Sequence, residues 1–408
     1  MLIVGIGLLC GCASKPVTVR FATFNASLNR PHAGELVRDL STPDNPQARN
    51  VAEVIQRTRP DVLLINEFDH DEQRLAPELF QKHYLSVGQN GCEPIEYPFR
   101  VFLPVNTGVP SGFDLDNDGK VVKEPGSRGY GNDCFGYGEF PGQYGMLLLS
   151  KYPFASSQFV RTFQNFLWKD MPNAMLPKKA DGSPWYSDQE LAVMRLSSKS
   201  HWDVALKIGN STVHVLASHP TPPAFDGPED RNGKRNHDEI RFWADALSQR
   251  DWQTAHGGSA GMSYIVDDNG RWGGVFPGDA FVLLGDMNAD PNDGGSVPGA
   301  IQQLLDHPEV NASFIPRSEG AVEAASHDGG NNASHRTPAA YDTADFSDTG
   351  NGPGNLRCDY VLPSRDLSVL GGGVFWPTSD DPLHRLVEMT PNVATSDHRL
   401  VWLDLQVP

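Results

Sequence analysis

The chain has 408 residues, 39% of them hydrophobic, enough to bury a large core in one α/β domain or two. Its formal net charge of −18 comes without a basic stripe, which speaks against a protein that tracks a nucleic-acid backbone. A small phosphorylated substrate drawn in by a metal fits better, and with no internal repeat, residues 17–408 read as a single domain with long insertions at about 90–145, 253–278 and 318–355.

Residues 1–16, MLIVGIGLLCGCASKP, form an apolar run too short to span a bilayer, followed by small residues. Leu9, Cys10, Gly11 and Cys12 resemble a bacterial lipobox, with Cys12 as the lipidated residue. No Lys or Arg precedes the run, so a truncated start or an ordinary secretory signal is the alternative. Either way the expectation is an exported protein, periplasmic, lipid-anchored at the envelope or secreted. Export permits disulfides, and Cys92 and Cys134, both flanking Gly-rich irregular sequence, are the expected pair. Cys358 reads as a small buried hydrophobe.

Val17 to Asn25 alternates as a half-buried strand, with Val17, Val19, Phe21 and Thr23 on one face and Asn25 at the exit, as a site residue or a turn former. Val51, Val54 and Ile55 follow helical spacing between Asn45 and Arg59; Pro46 suits the first turn and Pro60 stops the helix. The buried strand Asp61 to Asp69 delivers Glu67 to its end, and one strand-terminal glutamate suffices as the primary ligand of a hard cation such as Mg²⁺.

Asp114, Asp116, Asp118 and Gly119 match the opening of an EF-hand calcium loop, but its twelfth position is Pro125 rather than glutamate. That leaves a non-EF site for structural Ca²⁺ or a solvated acidic turn. Gln143 to Ser150 is a further strand, and Asp188 to Leu196 is helix-like. Val204 to Ile208 and Thr212 to Ser218 form a hairpin about Gly209 and Asn210, after which His219 enters a proline-rich loop, either to meet a phosphoryl oxygen or as a structural histidine. Phe225 to Asn236 reads as an exposed charged loop before a helix over His237 to Arg250. Arg231, Lys234, Arg235 and Arg241 form the nearest approach to a basic cluster, a clamp for an anionic group or a solvated face.

Gln253 to Gly278 is glycine-rich and expected to be a surface excursion. Phe281 to Asp290, FVLLGDMNAD, is a buried strand that throws out Asp286 and Asn288 at its end, one residue apart and on one side. Ile301 to Leu305 is a short helix, Ser318 to Asn355 a long polar loop of the kind that forms lids. Two strands end the chain: Arg357 to Leu362 carries Asp359, and Leu400 to Leu405 follows Ser396, Asp397 and His398.

FATFN, DVLLINEFD, SHPTPP, FVLLGDMNADP, CDYVLPS and SDHRLVWLDL, in this order along the chain, resemble the endonuclease/exonuclease/phosphatase superfamily. Its members include DNase I, abasic-site endonucleases, inositol polyphosphate 5-phosphatases and bacterial sphingomyelinases. The resemblance implies a four-layered α/β sandwich, two mixed sheets face to face with helices outside. It also implies hydrolysis of a phosphate ester by direct water attack, assisted by Mg²⁺, Mn²⁺ or Ca²⁺. By the same resemblance Glu67 is the principal metal ligand, supported by Asn25 and Asp397, while Asp286 orients or deprotonates the water and Asn288 holds a nonbridging oxygen. His398, oriented by Asp359, and His219 would donate to developing negative charge. Three functions follow: an exported monomeric hydrolase of small phosphate esters, an extracellular nuclease of the same fold, or an inactive calcium-binding surface protein. Membrane contact would come through a lipid anchor.

Overall fold

Alternating apolar residues on both faces make Val17–Leu28 a strand buried on two sides, and the rest of the chain assembles around it. A computed structural model describes residues 16–156, 160–248, 264–275, 280–388 and 394–408. In chain order its elements are β1 (Val17–Leu28), α1 (Glu35–Leu40), α2 (Pro46–Thr58), β2 (Val62–Phe68), α3 (Leu75–Phe80), β3 (Phe99–Val101), β4 (Met146–Ser150) and β5 (Val160–Thr162). There follow α4 (Asp188–Leu191), β6 (His201–Ile208), β7 (Ser211–Ser218), α5 (Arg231–Leu247), β8 (Ala280–Asp286), α6 (Gln302–Leu305), α7 (Glu319–Asp328), β9 (Asp359–Pro363), β10 (Ser368–Val374) and β11 (Val401–Val407).

The strands form a six-stranded sheet, β10-β11-β1-β2-β4-β3, and a five-stranded sheet, β5-β6-β7-β8-β9. Each is mixed: β1 with β2 and β7 with β8 are parallel, and their other neighbours are antiparallel. Val19, Phe21, Val62 and Leu64 of one sheet meet Trp202, Val204, Val215, Val282 and Leu284 of the other in a shared core. On the outer face of the first sheet Ala22, Phe24, Leu63 and Ile65 pack against Val51 and Ile55 of α2. Outside the second, Leu216, Phe281 and Leu283 pack against Ile240, Trp243 and Leu247 of α5. The result is the helix, sheet, sheet, helix sandwich expected from the sequence, and burying each such side chain contributes roughly 1.5–3 kcal/mol.

Helix α2 begins and ends where its residues dictate. Asn45 caps it by accepting the Ala48 N–H at 2.9 Å, and Arg59 turns into the left-handed region (φ 51°) just before Pro60. Elsewhere tertiary packing moved the boundaries. Helix α5 starts at Arg231 rather than His237, because the polar residues of its first turns find buried partners: Asn236 donates to the Thr221 and Met287 carbonyls at 2.8 and 2.9 Å. Only Asp188–Leu191 of the predicted 188–196 helix is helical, since Met194 and Leu196 are drawn into the core and Arg195 bridges Leu167. The long loop over 318–355 contains α7, capped by Ser318. No helix among the described residues is long and apolar enough to cross a membrane.

The expected disulfide is corrected by the structure: Cys92 and Cys134 are both free thiols. Cys134 is buried and donates to the Tyr130 carbonyl at 3.2 Å, whereas Cys92 closes a turn on Gln89. The Gly-rich segment is held instead by the carboxylate of Asp133, which accepts the Leu115 and Val122 N–H groups at 2.9 and 2.7 Å. Cys358 is free and buried, and burial raises its thiol pKa well above the ordinary value. The leader with Cys10 and Cys12, and residues 253–263 and 276–278 of the predicted surface excursion, lie outside the described residues.

Candidate active site

Strand register alone gathers most of the polar residues at one rim. Parallel pairing of β7 with β8 carries His219 alongside Asp286, and the two strands approach so closely that a Cβ on Gly285 would lie 2.1 Å from the Ser218 carbonyl oxygen. Antiparallel pairing of β8 with β9 sets Asp286 opposite Asp359. In the other sheet β1 and β2 set Asn25 beside Asn66, one residue before Glu67.

Amide side chains then sew the sheets together. Asn25 Nδ2 donates to Asp286 Oδ2 and to Glu67 Oε1, each at 3.1 Å, and the Asp286 N–H donates to Asn66 Oδ1 at 3.2 Å. Glu67 Oε2 accepts from Asn29 at 2.8 Å. Three non-glycine residues at this rim, Ser27, Glu67 and Asn288, hold left-handed backbone, with φ of 47°, 58° and 51°. Such strain costs about 1–3 kcal/mol per residue and concentrates at functional sites.

Asp286 is the point of convergence. Its Oδ2 lies 3.4 Å from His219 Nε2 and 3.5 Å from His398 Nε2, and its Oδ1 accepts the Asn288 N–H at 2.9 Å. Behind His398, Nδ1 meets Asp359 Oδ2 at 2.8 Å, and Thr343 Oγ1 donates to the same oxygen at 2.8 Å. The Thr343 hydroxyl also accepts the Cys358 and Asp359 N–H groups at 2.9 and 3.0 Å, so the relay is anchored to backbone. The Asn288 side chain donates to the Pro220 carbonyl at 3.2 Å.

Burial sets the electrostatics. It raises the Asp286 carboxyl to about 6, against the opposing pull of the His398 charge. At His219 it drives the imidazole well below its usual pKa, helped by Lys199 and His398, so that ring is neutral. Burial also opposes charge on His398, but Asp359 and Asp286 together outweigh it and hold that pKa well above the ordinary value. One rim therefore carries a neutral and a charged imidazole about a single carboxylate.

Glu67 is raised by burial and, after the relief its Asn25 hydrogen bond gives, by repulsion from Asp397. Asp397 has only long contacts to the Ser27 and Ser396 hydroxyls, at 3.5 and 3.4 Å, and among the described residues no Lys, Arg or His forms an ion pair with either carboxylate. These two carboxylates would offer oxygen ligands to a hard divalent cation; Asn25 between them turns its Nδ2 to Glu67 and accepts the Ser27 N–H at 3.3 Å on its Oδ1. Asp286, Asp359 and His398 also offer ligand atoms within 4.8 Å of one another. Of these, Asp359 Oδ2 and His398 Nδ1 already meet at 2.8 Å, and Asp286 Oδ2 accepts from Asn25.

The arginines expected to clamp substrate are engaged elsewhere. Arg231 pairs with Glu229 and stacks 5.6 Å from the Trp185 ring; Arg235 is buried and donates to the Leu196 and Arg195 carbonyls at 2.8 and 2.9 Å; Arg241 pairs with Asp245 at 3.2 Å. They staple α5 to its surroundings. In the acidic loop, Asp114 and Asp116 converge with Asp133 rather than Asp118, whose carboxylate caps the Lys120 N–H at 2.8 Å. Backbone and Asn132 amide donors occupy the Asp114 and Asp116 oxygens, as in a solvated turn. Three site residues are absent from the sequence reading: Asn66, Asn29 and Thr343. Asn66 was within reach, since it shares the inward parity of Val62 and Leu64, whereas Thr343 lies in irregular sequence with no periodic signal.

Two mixed sheets face to face with helices outside, and a cluster of carboxylates, amides and imidazoles at their common rim, define a hydrolase of the DNase I-like α/β sandwich class. The family model "Endonuclease/Exonuclease/phosphatase family" matches residues 22–398, and the chain belongs to that family, whose members are metal-dependent hydrolases of phosphoesters. Among solved structures it is similar to an endonuclease/exonuclease/phosphatase from Beutenbergia cavernae DSM 12333, at 16% identity and TM-score 0.48, over 96% of this chain and 72% of that one. It is similar also to truncated TDP2 of Caenorhabditis elegans (15% identity, TM-score 0.41, 96% and 98% covered) and to sphingomyelinase C of Streptomyces griseocarneus (13%, 0.43, 95% and 99%). No curated protein matches the sequence.

Proposed function

We propose that this chain is a monomeric, exported hydrolase of small phosphate esters, serving phosphate scavenging by direct attack of water on phosphorus. The supporting observation is the meeting of Asn25, His219 and His398 on one oxygen of Asp286, with an acidic pocket at Glu67 and Asp397 beside it. A divalent cation bound by Glu67, Asp397 and Asn25, with Mg²⁺ the first choice and Mn²⁺ or Ca²⁺ alternatives, would supply charge neutralisation at the phosphate oxygens. Above pH about 6 Asp286 is an anionic acceptor able to hold a water proton. Charged His398, its Nδ1 pinned by Asp359, donates from Nε2 to a phosphate or leaving-group oxygen, and neutral His219 is a second donor. Asn288 adds an amide for a nonbridging oxygen. The net charge of −18 favours small substrates over polynucleotide, and the apolar leader with its lipobox-like Cys12 favours export.

The test is a substrate panel: p-nitrophenyl phosphate, bis-p-nitrophenyl phosphate and supercoiled plasmid, each with Mg²⁺, Mn²⁺, Ca²⁺ or EDTA. Release of nitrophenol that EDTA abolishes is expected. Faster nicking of plasmid than turnover of either ester would replace this function with a nuclease.

A further inference from the structure

The two carboxylates of the acidic pocket come from separate parts of the fold, and one side chain of α2 spans the join. Glu67 ends β2 beside β1, whereas Asp397 lies in the turn before β11. Gln47, in the first turn of α2, donates from Nε2 to the Ser27 carbonyl at 3.0 Å and to the Thr395 carbonyl at 2.8 Å, with the Ala26 carbonyl farther away at 3.4 Å. A carboxamide nitrogen carries two protons, so the two short contacts use both. Each end of this bridge adjoins the pocket. Ser27 holds left-handed backbone at the register shift of β1 between Asn25 and Leu28, and its Oγ meets Ser396 Oγ at 3.0 Å and Asp397 Oδ1 at 3.5 Å. Thr395, two residues before Asp397, is buried and donates its hydroxyl to the Leu386 carbonyl at 2.7 Å.

Docking of the helix does not require this bridge. Val51 and Ile55 already pack α2 on the sheet, and the Asn45 cap with its N–H on the Tyr84 hydroxyl at 3.2 Å fixes the first turn. Asn50, farther along α2, donates to the Ala394 carbonyl at 2.9 Å and so reaches the turn but not the strand. Among the described residues Gln47 is the α2 side chain that hydrogen-bonds both. A strained bulge persists where its surroundings over-determine it, and partners one step behind metal ligands fix where those ligands stand. Resting on the cation reading of Glu67 and Asp397 above, we propose that Gln47 is a positioning residue whose amide fixes the Asp397 turn on the β1 bulge and thereby sets how tightly the acidic pocket holds a divalent cation.

Wild type, Gln47→Met and Asn50→Leu are titrated with Mg²⁺ by calorimetry, with thermal unfolding as the fold control and amide hydrogen exchange followed over residues 394–398. For Gln47→Met we expect the Mg²⁺ Kd to rise about 10- to 100-fold, the usual loss for a partner behind a metal ligand, and exchange in that turn to quicken. Asn50→Leu frees one carbonyl of the turn but leaves it joined to β1, so its Kd should shift less. In ester hydrolysis by Gln47→Met the half-saturating Mg²⁺ concentration should rise by the same factor as Kd, while kcat at saturating Mg²⁺ falls less. A Kd for Gln47→Met within twofold of wild type, an equal shift in Asn50→Leu, or a loss confined to kcat overturns the proposal. If Gln47→Met does not fold, Gln47→Glu, which keeps the shape and removes the donor nitrogen, is judged by the same outcomes. A wild type that binds none of Mg²⁺, Mn²⁺ and Ca²⁺ refutes the cation reading itself. Gln47 is then judged on exchange alone, where unchanged protection of residues 394–398 in the variant overturns its role.

Discussion

Replacing Asp359 with Asn tests the relay with the least disturbance of shape. Asp359 Oδ2 accepts from His398 Nδ1 and from Thr343 Oγ1, each at 2.8 Å, so an asparagine with its Oδ1 in that place keeps both contacts but not the negative charge. Burial is the largest influence on His398 and opposes its charge; Asp359 is the largest influence supporting it. A hydrogen bond to a charged group contributes about 1.5–3 kcal/mol, which corresponds to a fall of about one to two pKa units for His398. If the charged imidazole is the donor, turnover should drop about 10- to 150-fold at neutral pH. The basic limb of the kcat profile should move to lower pH, because His398 loses its proton earlier. Stability should follow the same sign. A histidine with a raised folded pKa contributes stability that is present below its unfolded value and lost as pH rises through the folded one, and the variant narrows that window. The assay is chromogenic ester hydrolysis from pH 5 to 9, with His398 followed by NMR titration. A variant that keeps kcat within twofold of wild type and leaves the His398 titration unmoved would refute the relay.

Glu67→Ala should abolish metal-dependent turnover with circular dichroism unchanged, and metal titration by calorimetry should lose its binding isotherm; near wild-type rates would remove Glu67 from the site. Gly285→Ala forces a Cβ toward the Ser218 carbonyl, which it would meet at 2.1 Å, and overpacking of this kind costs about 1–3 kcal/mol. Its melting temperature and turnover should fall together, and unchanged values of both would show that β7 can retreat without disturbing His219. Asp342, the chain neighbour of Thr343, is raised from 3.8 to about 8 by burial and by Asp290 and Asp293. The folded chain therefore holds a proton that the unfolded chain has lost, so this group's contribution is present below pH about 4 and lost as pH rises through about 8. Asp342→Asn should flatten that decline in urea unfolding between pH 5 and 9, and parallel profiles for the two proteins would rule the assignment out.

Strand-forming patterns are local, and so the amino-acid order alone located β1, β2, β4, β7, β8, β9 and β11 and the polar residues at the exits of several of them. Glu67, His219, Asp286, Asn288 and Asp359 stand at the strand ends or turns where the pattern placed them, whereas Asn25 lies inside β1, which runs on past a register shift to Leu28. Short edge strands such as β3 and β5, and glycine-rich β10, carry too few apolar residues to signal themselves.

What a polar side chain meets is a different matter. Asn25 and Asp286 are 261 residues apart, and only the packing of two sheets brings them to 3.1 Å. The same dependence misled the reading of charge: Arg231, Arg235 and Arg241 looked available for a ligand, but the early start of α5 drew in the first two and an Asp245 pair within the helix holds the third. Cys92 and Cys134 shared a suggestive composition and not a common place. Thr343 gave no signal, because a hydroxyl in irregular chain acquires meaning only from neighbours that register and sheet packing supply. Residue order thus determined the strands and the polar ends they present, and tertiary contact decided which of those ends act together, since hydrogen bonds and buried charge depend on ångström-scale distances that local pattern does not encode.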